Sequence, residues 1–84
     1  MKEFYLEKSF ITPPKNAGQI IEVSYSVGYF PNDKDEKVII KRIYDRNKQR
    51  EDFTAYHFPA SGEFNPWNGE PKLGPRIGRC EIYF

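Results

Sequence analysis

The residues that could do chemistry are few and far apart in the chain. His57 is the only histidine and Cys80 the only cysteine. A general base at His57 would need Asp45, Asp52 or Cys80 brought to it by the fold, because no local motif joins them. Cys80 would be a nucleophile only if a neighbour such as Arg79 lowered its pKa. Its parity with Ile82 and Phe84 predicts a buried, inert thiol instead. Asp33 and Asp35 have the spacing that opens a calcium loop. Lys37 then stands at the fifth position, Val38 where a glycine belongs and Tyr44 where the closing glutamate belongs, so the segment reads as an acidic turn. Zinc would need cysteine and histidine clusters that the chain lacks. Gly69 and Gly74 have no Gly-Lys-Ser/Thr after them and no βα unit around them, and read as turn glycines. Neither catalysis nor a metal or cofactor is expected.

Two stretches point to binding. Lys41, Arg42, Arg46, Lys48 and Arg50 cluster around Tyr44. Cations interleaved with a ring suit single-stranded nucleic acid, where bases stack and phosphates pair. Asp45, Glu51 and Asp52 dilute that patch, and the same residues read equally as a solvated, mixed-sign hairpin that discourages edge pairing. The second stretch, residues 63–69, holds Phe64 and Trp67 on a loop rich in proline and glycine. Large aromatics on such a loop are anchors for a protein partner, because they offer area with few torsions to freeze. The competing reading makes Trp67 a plug over one end of a small core. Phe64, Trp67 and Tyr44 are the candidate partner-binding residues.

These residues need elements to position them. The chain has 84 residues, enough for one domain with a thin core. Thirteen Lys+Arg against 12 Asp+Glu give a net charge of +1, so no long-range field steers a nucleic acid or membrane toward it. Aromatics at 17% supply core area and argue against disorder. A single cysteine excludes an internal disulfide, and no apolar run approaches a membrane span. With no targeting segment visible at Met1, a soluble, cytoplasmic protein is expected.

Residues 3–11 read as a first strand, with Phe4, Leu6 and Phe10 on one parity and Tyr5 on the other, stopped by Pro13 and Pro14. In residues 20–29, Ile21, Val23, Tyr25 and Val27 alternate with Glu22, Ser24 and Ser26, the period of a half-buried strand; Gly28 marks a bulge or a close backbone approach. Residues 31–35 form a turn by composition. Residues 37–45 favour a strand through Val38, Ile39 and Ile40. The rival is a helix near 36–50, capped by Asp33 with Glu36, but residues 45–52 would give it nothing apolar to bury. A polar hairpin tip at 46–49 leads to an aromatic strand over 53–58. A long connection follows over 59–76, broken by four prolines and three glycines. A last strand spans 77–84.

The sequence therefore predicts a mainly β domain: a small antiparallel sheet of four to five strands, curled or partly closed like a barrel. The alternative is an α+β fold with one helix near 36–50. The expected function is a non-enzymatic binding module acting through protein–protein contact, as an adaptor or small inhibitor. A nucleic-acid-binding domain using the basic hairpin is the alternative.

Overall fold

The computed structural model describes residues 2–7, 9–12, 19–66 and 71–83, with the side chain of Lys2 left aside. The sequence expectations for Pro13 and Pro14, for Trp67 and Gly69, and for Phe84 concern positions outside those residues. Five strands form one sheet that closes into a barrel: β1 (Lys2–Leu6), β2 (Ile21–Phe30), β3 (Asp33–Asp45), β4 (Arg50–His57) and β5 (Arg76–Tyr83). Neighbours in sequence are neighbours in the sheet, as is usual for consecutive strands. Each reversal flips the strand direction, so the fifth strand runs the same way as the first. The pair that closes the barrel, β1 with β5, is accordingly parallel, while the other four are antiparallel.

The β2–β3–β4 ladder is the backbone of the fold. Residues 36–45 are strand, not helix, and the apolar gap at 46–49 is the tip of the β3–β4 hairpin. Asp45 Oδ1 accepts from the amides of Asn47 and Lys48 there, and Gln49 takes the left-handed conformation that ends the turn (φ 52°). The turn expected over 31–35 is narrower. Strand β3 starts at Asp33, and a register shift between Tyr29 and Phe30 absorbs the extra residues of β3. The first strand is shorter than 3–11. Its ladder with β2 runs through Tyr5↔Tyr29 and Leu6↔Gly28, then loosens before an isolated bridge joins Ile11 to Tyr25. That detour lets Phe10 turn inward, its ring 5.6 Å from that of Phe53.

The inner face differs from what alternation in β2 implies. The apolar set Ile21, Val23, Tyr25 and Val27 would be expected to face the core. Register instead puts Ser26 opposite Ile40 and Ile40 opposite Ala55, all three fully buried. The inner cluster is Phe4, Val38, Ile40, Ala55 and Cys80, flanked by Leu6, Phe10, Phe30, Phe53, Ile77 and Ile82. A five-stranded barrel is too narrow for large side chains on every strand, so small residues of β2 face large ones of β1 and β3. Gly28 is the extreme case: a Cβ there would lie 2.5 Å from Ile40 Cδ1 and 2.8 Å from the Tyr5 carbonyl oxygen. The opposite parity of β2 is buried as well. Tyr25, Val27 and Ile39 are 1%, 4% and 0% exposed on the outer face. β2 is therefore covered on both sides at its centre.

Strand β5 serves two partners. Its first half pairs with β4 through Tyr56↔Arg76, Ala55↔Gly78 and Thr54↔Arg79, with a bulge between Ala55 and Tyr56. Gly78, at φ 142°, sits in that bulge, which allows Ile77 and Cys80, of opposite parity, both to join the inner cluster. The described residues of the long connection before β5 are tied down at several points. Gly74 donates to His57 O and His57 donates to Pro75 O, both at 2.9 Å, and Pro66 and Pro71 are buried.

Candidate functional site

Beyond Arg79 the second half of β5 leaves β4 and pairs only with β1, through Lys2↔Cys80, Glu3↔Glu81, Phe4↔Ile82 and Tyr5↔Tyr83. Over the same stretch β4 pairs only with β3, through Arg50, Glu51, Asp52 and Phe53. The two strands part, and a cleft of about 400 Å³ opens between them. Its floor is Phe53, Cys80 and Ile82, which belong to the inner core; its rim is Glu51, Asp52, Arg79, Glu81 and Tyr83. The barrel thus has a seam. Each side is a strand edge with no strand partner across the gap among the described residues.

The rim is mixed in sign and unevenly neutralised. Asp52 is held by Arg79 at 2.8 Å and by Arg50 at 3.3 Å, and Glu51 by Arg42. Glu81 has no cation beside it among the described residues. It accepts from the Tyr83 hydroxyl at 3.3 Å, and Glu3 accepts from the same hydroxyl at 3.2 Å. The nearby Glu3 carboxylate, and then its hydrogen bond, hold the Tyr83 phenol above its usual pKa. Below the rim, burial pushes the Cys80 thiol up to about 11. A thiol that is 6% exposed and protonated at neutral pH is a floor group, not a nucleophile.

Tyr83 also begins a row of rings on the outer face. Register puts Tyr83 beside Tyr5 and Tyr5 beside Tyr29, across β5, β1 and β2. Both neighbouring ring pairs have centroids 6.0 Å apart, and Tyr5 and Tyr83 are 38% and 41% exposed. Past Tyr29 the row ends at Lys37, which pairs with Glu7 at 2.9 Å.

The residues singled out from sequence do not converge. Tyr44 is half-buried near the hairpin tip, with the Arg42 guanidinium 5.0 Å from its ring centre. Phe64 is half-buried at the other end of the ladder, 6.3 Å from Phe58. Tyr44 and the residue paired with His57 are six positions apart on β3, so the two rings sit roughly 20 Å apart along the strand. Trp67 lies outside the described residues. The basic set divides between faces. Lys41 and Arg50 have the outward parity of Tyr25 and Ile43, Arg42 the inward parity of Ser24, and Arg46 and Lys48 lie in the turn. Arg42, Arg46 and Arg50 each hold a carboxylate. Donation from Arg46 to Glu22 at 2.7 Å holds that carboxyl below its usual range. Lys48 borders a second, smaller cleft of about 210 Å³ with Ile21, Ile43 and Asp45. His57 is exposed and lines neither cleft.

Tyr5, Tyr29, Tyr83, Glu3 and Glu81 are the residues that sequence reasoning missed. Their signal was faint: a tyrosine at the outward parity of each of three strands. Which strands adjoin is a property of the closure, and no local pattern carries it. Among the described residues no three His, Cys, Asp or Glu side chains converge to hold a metal, and no helix is long and apolar enough to cross a membrane. No family model matches the chain, and neither a characterised protein nor a solved structure is detectably similar to it.

Proposed function

We propose that this domain is a non-enzymatic binding module, of the kind used by adaptors and small inhibitors, that captures an extended segment of another protein in the seam between β4 and β5. The single observation that supports this reading is the parting of the two strands over an apolar floor. An incoming strand finds main-chain donors and acceptors along an edge, and a place for alternate side chains against Phe53, Cys80 and Ile82. The cleft is large enough for two or three side chains. The seam is a poor place for phosphate, since Glu51, Asp52 and Glu81 line it. The basic hairpin residues are spread over two faces and a turn, with three of the five engaged by carboxylates.

The test is selection of random dodecapeptides on the full chain, followed by hydrogen exchange on the complex. Bound peptide should slow exchange at the amides of residues 51–53 and 80–83, the two edges of the seam. Protection confined to other elements would refute strand capture there. Failure to select any peptide would do the same. Salt-sensitive binding of labelled single-stranded DNA or RNA, protecting residues 41–50, would favour the nucleic-acid alternative.

A further inference from the structure

We infer that the captured segment carries an arginine, and that the tyrosine row with Glu3 and Glu81 is the subsite that receives it. The inference rests on the seam as the place of capture and names the chemistry of what enters it. Tyr83 belongs to both features: it lines the cleft and it starts the row. A segment leaving the seam past Tyr83 therefore crosses onto Tyr5 and Tyr29.

Three observations point to a cation there. First, two carboxylates converge on one hydroxyl, each within 3.3 Å of Tyr83 Oη, and that hydroxyl has one proton to give. One carboxylate is left short of a donor, and among the described residues no cationic side chain lies within ion-pair distance of either. Every other carboxylate on the seam's rim already holds an arginine. Second, the rings stand exposed in a registered row with centroids 6.0 Å apart, offering their faces and edges side by side. A guanidinium is planar, stacks on such rings and bonds a carboxylate through two N–H groups, whereas an ammonium is a hydrated point charge; this favours arginine over lysine. Third, charged edges resist pairing with uncharged strands. The segment that the seam accepts must offset the Glu81 carboxylate, and a cation at its exit does so.

The experiment uses the peptides selected on the wild-type chain, each remade with arginine replaced by citrulline, which keeps the shape and removes the charge. Affinities are measured for the wild-type chain and for the Glu3→Gln/Glu81→Gln double variant, whose changes are isosteric and exposed. Citrulline should weaken binding to the wild-type chain about tenfold, the scale of one ring contact plus one exposed ion pair. The same replacement should cost the double variant less than about threefold. Selected peptides that lack arginine, or that lose nothing on citrulline replacement, would overturn the arginine subsite while leaving strand capture intact. An equal loss in both chains would place the arginine elsewhere and overturn it too. Selection of no peptide at all removes the seam reading and this one together.

Discussion

Gly28→Ala tests the packing on which the whole site is built. Gly28 pairs with Leu6 on one side and Val38 on the other. An added Cβ would meet Ile40 Cδ1 at 2.5 Å and the Tyr5 carbonyl oxygen at 2.8 Å. The first obstacle is a side-chain end, but Ile40 is fully buried in the inner cluster and has little room to turn. The second is backbone and yields only if β1 moves outward. Overpacking of this kind costs about 1–3 kcal/mol. The smaller conformational entropy of an unfolded alanine returns roughly 0.5–1 kcal/mol, so a net loss of about 1–2 kcal/mol is expected. For a domain of this length that lowers Tm by about 5–15 °C. Urea unfolding followed by Trp and Tyr fluorescence reads the change as a shift in midpoint at constant slope. Ile40→Val removes the nearer obstacle and leaves the Tyr5 carbonyl in place. In the double variant the two losses should sum to less than their parts, by about 0.5–1 kcal/mol. A Gly28→Ala chain as stable as the wild type would refute the argument that β1 closes over β2 through this contact.

Two further predictions address buried polar groups. Ser24 is 1% exposed, and its hydroxyl has no hydrogen-bond partner among the described residues; Ser24→Ala should leave stability unchanged or raise it by about 1 kcal/mol in urea unfolding, and a clear loss would reveal a partner for the hydroxyl. The folded pKa of Cys80, about 11 against an ordinary 9.0, lies above the unfolded one, so its stabilising contribution is complete below pH 9 and disappears as pH rises toward 11. That is a loss of about 2–3 kcal/mol over this window, and Cys80→Ala, although less stable at neutral pH, should show a correspondingly shallower decline; identical slopes for the two chains would contradict the burial argument.

The strands were legible because their local signals agree with their environment. Val38, Ile39 and Ile40 are β-branched and sit at a fully buried crossing, and the polar run after Tyr44 becomes a turn because a helix there would have no face to bury. What could not be read was which face of β2 looks inward. Alternation marks Tyr25 and Val27 as the buried parity, and they are buried, but so are Ser24 and Ser26. Hydrophobic period reports burial of a face without reporting what lies over it, and in a barrel this narrow the interior selects small residues as well as apolar ones. The separation of the candidate rings was hidden for a related reason. Phe64 stands out on its proline- and glycine-rich loop and Tyr44 among basic residues, yet the two lie at opposite ends of the β3–β4 ladder. Tyr5, by contrast, looked like a strand residue off the apolar face, and only closure of β1 between β5 and β2 brings it between two further tyrosines.

The location of the seam follows from the strand count. Four reversals leave β1 and β5 pointing the same way, so the last ladder must be parallel, and it holds only four register pairs. To reach β1, β5 has to abandon β4 partway along; the bulge at Ala55/Tyr56 and the positive φ of Gly78 are where it turns. An even-stranded meander could close with antiparallel pairs throughout and leave no such gap. Here the same departure that finishes the barrel uncovers Phe53, Cys80 and Ile82 between two edges and carries Tyr83 out to stand beside Tyr5. This topology leaves two strand edges facing the gap among the described residues, and the proposed capture of another strand would use them. The rim charges differ in how far they are already paired. Asp52 is clasped by two arginines, whereas Glu81 and Glu3 share one phenol proton, and the acceptor capacity this leaves is what the proposed arginine would use.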